Sequence, residues 1–241
     1  MPVKINVLGI SGTVIKDGNC DTLVKIALEG AKELSSPELG EVETDFVTLA
    51  DKNIAGCEHC QWCIENKARC KIKDDFHAVA GLIDKADGLI LAGPVWMATL
   101  SPPLLIFIAR TRAIVFLTQE WRNKVAGALT LGFFGFGQDN ALSVIKEFMA
   151  AHQIIPVAQG SALASTAAFG QRPSYLEHGV VDNKRGVLEA KYVGNRVVEV
   201  ARMIKHATDS GVVLPMKDQL TPLGGHRGPG KWAKFVEGVW R

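Results

Sequence analysis

The chain has 241 residues, 47% of them hydrophobic and 22% charged, with a net charge of +2; this suits one α/β domain with an appendage rather than two equal domains. Such a composition excludes a disordered or collagen-like chain, and the near-neutral charge argues against nucleic acid as the main partner. No run of 18 apolar residues occurs, and Met1-Pro-Val-Lys leads into an apolar run without a signal-peptide pattern, so a cytoplasmic protein without a membrane span is expected.

Residues 4–10 (KINVLGI) read as a buried strand that ends at a glycine-containing turn. Residues 21–34 carry apolar side chains at helical spacing, and 42–49 form a second strand. Residues 76–86 read as a helix, with Asp74 and Asp75 at its N-terminus where acids suit the dipole. A third strand is expected over 88–92. A helix follows over 101–116, with Pro102 and Pro103 in the first turn, where proline is tolerated. Residues 125–134 form a fourth strand, 140–152 a helix, 154–158 a fifth strand and 186–207 a last amphipathic helix. Strands alternating with helices imply right-handed βαβ units and a parallel sheet. The expected fold is therefore a flavodoxin-like three-layer α/β sandwich with a five-stranded parallel sheet. A cysteine-rich insertion (54–73) follows strand two, and an irregular tail (208–241) closes the chain. The tail holds Trp232, Phe235 and Trp240, rings that are costly to expose, so it is expected to dock on the body or on a partner subunit.

Three loops fall at the carboxyl ends of strands, where such sheets bind ligands. The first, 9–22, has no G-x-x-x-x-G-K-[ST] or G-x-G-x-x-G pattern. It opens a helix whose N–H groups suit a phosphate, with Ser11, Thr13, Asn19 and Thr22 as neutral donors. The second, 93–101, places Trp96 and Met97 at a strand end, as a wall for a flat aromatic ligand or as core. The third, 132–140, is glycine-rich and lets the backbone approach the polar edge of a ring.

Four of the five cysteines form Cys57-x2-Cys60-x2-Cys63-x6-Cys70. Two-residue spacings let successive thiolates take three corners of one cubane, and the six-residue return brings in a fourth. The spacing reads as a [4Fe–4S] site. Structural zinc, with His59 inside the set, and metal-free thiols are the alternatives. Trp62 and Ile64 would shield the site. Cys20 stands apart and reads as a small buried residue. No catalytic acid or base is nominated; His152 and His178 read as surface histidines.

Taken together, these loops and cysteines resemble the flavodoxin-like NADPH-dependent FMN reductases and, within them, the iron–sulfur flavoproteins, over roughly residues 3–207. In that family the first loop usually reads G-S-x-R-x-x-x-[SG]-N-[TS]. Ser11 and Asn19 match, Thr13 stands where arginine is usual, and Cys20 where a hydroxyl residue is usual, with Lys16 a candidate substitute for the arginine. Pro94-Val95-Trp96-Met97-Ala98-Thr-Leu-Ser101 is similar to the S-P-V-Y-x-x-x-x-S loop beside the flavin, and Gly135-Phe-Gly137-Gln138-Asp139 to G-x-G-Q-E. The resemblance implies FMN on those residues and on Thr22, a homodimer or homotetramer, and a cluster that faces the FMN of an adjacent subunit. The expected function is electron transfer between a one-electron, ferredoxin-like carrier, a [4Fe–4S] cluster and FMN, and on to a two-electron acceptor. An NAD(P)H-dependent flavin or quinone reductase with structural zinc is the alternative, and a non-enzymatic metal-binding or redox-sensing module the third.

Overall fold

The structure, a computed structural model, describes residues 2–133, 135–164 and 178–212, with the backbone of 235–236 and 239–240. Five parallel strands, β1 (Ile5–Ser11), β2 (Val42–Thr48), β3 (Gly88–Trp96), β5 (Val125–Gly132) and β6 (Ile155–Leu163), lie in the order β2-β1-β3-β5-β6, and the two-residue β4 (Thr99–Leu100) folds back antiparallel on β3. The chain leaves β1 toward β2 and then resumes on β1's other side with β3. That reversal is the switch point of a doubly wound sheet.

Each face of the sheet is covered, which gives three layers. Helices α3 (Phe76–Lys85), α4 (Pro102–Arg110) and α5 (Gln138–Ala151) cover one face, where Leu8, Ile10, Phe76, Phe107 and Trp121 are buried together. Helices α1 (Asn19–Glu33) and α6 (Lys184–Asp209) cover the other, over Ile5, Val7, Ile90 and Leu129. Buried on both faces, β5 is apolar almost throughout, as parallel central strands require. A Cβ on Gly194 would stand 1.9 Å from the Ala27 oxygen, so α1 and α6 meet backbone to backbone and only glycine fits.

Several elements run differently from the sequence expectation, among them β6, which continues to Leu163, past the expected end at 158. Strand β3 continues to Trp96, so Pro94, Val95 and Trp96 lie in a strand rather than a loop. Pro94 lies beyond Ala92, the last β3 residue paired with β1, where a missing N–H is tolerated. The turn itself is Met97-Ala98, both with positive φ, as a two-residue hairpin needs. Gln138 and Asp139 open α5 because Gly137, at φ +80°, turns the chain just before them. The expected 101–116 helix is α4 followed by a π-helical turn, Ile114–Thr118. The single-turn α2 (Trp62–Glu65) inside the cysteine insertion was not anticipated. In the tail, β7 (Phe235–Val236) and β8 (Val239–Trp240) pair antiparallel; the expected docking of Trp232, Phe235 and Trp240 lies outside the described side chains. No helix among the described residues is long and apolar enough to cross a membrane.

Candidate functional site

Because β1, β3 and β5 are parallel neighbours, the loops after them lie side by side at one sheet end. Hydrogen bonds fix the first to the second: Gly12 N donates to Ala92 O, and the Ser101 hydroxyl donates to the Gly12 carbonyl. The third is fixed to the second by Asn140, whose Nδ2 donates to Ala98 O over 2.9 Å. A Cβ on Gly137 would lie 2.6 Å from Ala98 Cα, so that contact also needs glycine. Ser101 and Asn140, which close the second and third loops in the sequence, are positioning residues, a role that sequence reasoning did not assign to them; a serine before two prolines was the available signal for the first.

Several first-loop groups are spent on the protein itself. Thr13 Oγ1 accepts from Ile15 N, Asn19 Oδ1 accepts from Val180 N, and the Thr22 hydroxyl donates to Gly18 O. Lys16 pairs with Asp51 across 3.0 Å. Asp21 is buried and its Oδ2 accepts from Asp17 N. The main-chain N–H groups of the first turn of α1, such as those of Cys20 and Asp21, have no carbonyl partner within the helix, and a helix N-terminus suits an anion. Cys20 itself faces Ser11, and burial pushes its thiol up to about 12. Iodoacetamide at pH 8 should therefore label Cys57 and Cys60 of the metal-free native protein and spare Cys20 until denaturant is added; labelling of Cys20 at the rate of Cys60 would contradict its burial.

Apolar side chains surround this end without covering it. Met97 is 97% exposed, Phe136 73% and Trp96 42%, with Val14 and Ile15 also exposed. A Cβ on Gly135 would meet nothing within 4 Å. Open backbone, a helix N-terminus and uncovered apolar rings fit a flat, phosphate-bearing ligand. Gln138 is not turned outward: it is buried, and its Nε2 donates to Ala162 O over 2.7 Å.

The cysteine insertion is closed at its neck by α3 and α4. Asp75 accepts from Asn53 N, and Asp74 accepts from Ala55 N and Phe76 N. Arg110, whose side chain is fully buried, donates to Asp74 at 2.7 Å and to the carbonyls of Ala55 and Ile72. Burial works against the charge of Asp74, but Arg110 and the Ala55 and Phe76 N–H groups outweigh it and hold the carboxyl below its usual range. Farther out, Arg69 reaches Asp84 and Glu120. These lie near the end of α3 and just before β5, toward the amino ends of the strands. The insertion thus leaves the sheet after β2, is pinned between the start of α3 and the end of α4, and reaches through Arg69 toward the far end of α3.

Within the insertion, His59, Gln61 and Lys67 hold left-handed φ, so the chain reverses sharply between cysteines. Ile64 is buried and anchors α2. Cys57 and Cys60 are exposed, and Cys63 and Cys70 half-buried. Burial pushes the Cys63 thiol up against the pull of Arg112, with Cys70 and Cys57 near enough to act on its charge. Four thiols have the donor chemistry of an iron–sulfur or zinc centre. Among the described residues, however, no three His, Cys, Asp or Glu side chains converge closely enough to hold a metal ion. Of the two histidines expected at the surface, His178 is exposed and His152 is not: His152 is fully buried.

Comparison with known proteins agrees with this geometry. The family description of NADPH-dependent FMN reductases matches residues 5–169. An iron–sulfur flavoprotein of Methanocaldococcus jannaschii is 31% identical over 204 residues, which is 83% of this chain and 100% of the relative. A second from the same organism is 30% identical over 82% of this chain and 98% of the relative. Among solved structures, RosB with bound 8-demethyl-8-formylriboflavin-5′-phosphate superposes with a TM-score of 0.66 at 16% identity, over 90% of this chain and 89% of that one. A flavone reductase superposes with a TM-score of 0.62 at 18% identity, over 84% and 65%; both show the shared fold. The chain therefore belongs to the iron–sulfur flavoproteins of the flavodoxin-like NADPH-dependent FMN reductase superfamily and is an FMN-dependent oxidoreductase.

Proposed function

We propose that this protein binds FMN on the three loops and one [4Fe–4S] cluster on Cys57, Cys60, Cys63 and Cys70, and couples a one-electron, ferredoxin-like carrier to a two-electron acceptor. The observation that carries the reading is the cysteine insertion: four thiols on a loop whose neck is pinned by Arg110 and Asp74. When bound, the cluster would exchange electrons singly and the flavin singly or in pairs. The chain's own part is to hold and shield. The α1 N-terminus would receive the phosphate, Trp96 and Met97 would wall the ring, and the backbone around Gly135 and Gly137 would approach its polar edge.

Assembly belongs to the same reading. Arg69 anchors the insertion at the far end of α3, a helix of 10 residues and so roughly 15 Å long. The family resemblance is what supports pairing of the cluster with the FMN of an adjacent subunit. The exposed Met97, Phe136 and Ile15 supply apolar surface for a homodimer or homotetramer; a monomer by light scattering at micromolar concentration would remove this part of the proposal. The cofactor test is direct. Flavin released by heat should co-elute with FMN, and the anaerobic protein should show a broad brown absorbance that dithionite bleaches. Release of FAD, or stoichiometric zinc with flavin bands alone, would replace the reading with a zinc-stabilised flavin or quinone reductase.

A further inference from the structure

The two outer strands of the sheet are protected in different ways. β2 pairs with β1 alone and carries Glu43 and Asp45, both exposed, so its own charges oppose the addition of another strand. β6 pairs with β5 alone, yet residues 155–163 hold no charged side chain. Two devices guard its first half. Pro156 has no N–H to offer, and the register with β5 shifts between Ala126 and Gly127, which leaves Val157 without a partner residue. The second half, Gln159 to Leu163, stays in register with β5 and turns N–H and C=O groups to its free side at alternate residues. There α6 supplies what the strand lacks. Ala164 N donates to Gly132 O, on the β5 side, and alternation turns the Ser161 N–H the other way. Ser161 N donates to Glu189 Oε2 over 2.8 Å, and Arg185 Nε braces the second carboxylate oxygen, also at 2.8 Å. Two glycines bring helix and strand this close: a Cβ on Gly160 would lie 3.0 Å from Glu189 Cβ, and one on Gly186 2.5 Å from Ala162 Cβ. Among the described residues, Glu189 is the only side chain that accepts from a β6 N–H.

We infer that Glu189, by occupying the Ser161 N–H, closes the free edge of β6 to strand addition by a second copy of this chain. An uncharged edge is self-complementary: placed antiparallel about a twofold axis, each β6 offers the other the same alternating donors and acceptors. The carboxylate takes the donor at the middle of the regular half, and its brace to Arg185 keeps it there. The inference concerns the sheet edge and stands apart from the cofactors.

The test uses the full-length protein as wild type, Glu189→Ala, Glu189→Gln and the double variant Glu189→Ala with Ser161→Pro. Alanine suits a helix interior, so α6 is kept. Light scattering over a wide concentration range takes the wild-type mass as its reference, whatever assembly the loop end supports. Glu189→Ala should rise with concentration to about twice that mass, as one twofold pairing requires. Glu189→Gln keeps an oxygen for Ser161 N and should stay at the wild-type mass. Proline at 161 removes the donor and is tolerated on an edge strand, so the double variant should return to the wild-type mass. Amide hydrogen exchange at Ser161, read at low concentration, should be about tenfold faster in Glu189→Ala than in wild type. An unchanged mass in Glu189→Ala, an unchanged exchange rate at Ser161, association of Glu189→Gln equal to that of Glu189→Ala, or a double variant that still associates would each overturn the inference. If Glu189→Ala does not fold, Arg185→Ala, at a position exposed to solvent, is read instead: faster exchange at Ser161 supports the inference, and an unchanged rate overturns it.

Discussion

Replacing Arg110 with alanine is expected to cost about 3–5 kcal/mol of stability, the scale for stripping one partner from a buried ion pair. The Arg110 side chain is fully buried and that of Asp74 nearly so. Removing the guanidinium leaves the Asp74 carboxylate without its cation and the Ala55 and Ile72 carbonyls without their donor. Those four groups hold both strands of the neck against the end of α4, so the insertion should loosen together with the loss of stability. Urea unfolding at pH 7 gives the first number, and the rate of proteolytic cleavage between residues 54 and 73 the second. Arg110→Lys should recover part of the charge but not the fork that reaches three oxygen partners at once. A loss below about 1 kcal/mol, the ordinary range for an exposed pair, would show that the neck does not depend on this contact.

His152 should make the protein sensitive to acid over a defined range. It is fully buried, with its ring centre 4.7 Å from that of Trp121 and 4.6 Å from that of Phe148. The Thr111 hydroxyl donates to Ile108 O, so the 2.9 Å contact with His152 Nε2 requires Nε2 to carry the proton. Nδ1 is buried without a partner, and burial drives the pKa down from 6.5 to about 4. The unfolded chain therefore binds the proton first as pH falls. The contribution to stability is full above about pH 6.5, is lost between 6.5 and 4, and changes no further below 4. Over that span the loss approaches about 3 kcal/mol. Unfolding free energy measured at pH 7, 6, 5 and 4 should decline less steeply in His152→Phe, which removes the titrating ring and leaves Thr111 its bond to Ile108. Equal slopes in the two proteins would mean that His152 is not held neutral.

Much of the architecture was legible because period and punctuation follow directly from burial. The alternation of short apolar runs with amphipathic helices implied the parallel sheet, and the run-ending glycines marked three loops whose strands proved to be neighbours. Strand ends were harder to read. Gly93-Pro94 resembles a turn signal, yet β3 runs through it because pairing with β1 has already ended. Gln159-Gly160-Ser161 resembles a loop, yet it belongs to β6, an edge strand paired with β5 alone, where polar residues face solvent. The cysteine spacing marked the insertion, but its course depends on Arg69 and Arg110 meeting partners tens of residues away, which no local pattern encodes. His152 followed the same logic: the helix end is polar locally, and its aromatic surroundings come partly from Trp121, in another segment.

The central claim is that four cysteines hold an iron–sulfur cluster and the fifth does not. Iron, acid-labile sulfide and flavin per chain, measured on anaerobically purified wild type and the five single Cys→Ala proteins, test it most directly. Wild type should contain about four iron and four sulfide per chain, as one cubane requires, together with FMN. Cys57→Ala, Cys60→Ala, Cys63→Ala and Cys70→Ala should each lose most of the iron and keep the flavin, while Cys20→Ala keeps the iron. Wild-type protein that holds stoichiometric zinc, or a Cys20→Ala protein that loses iron as fully as Cys60→Ala, would contradict the account.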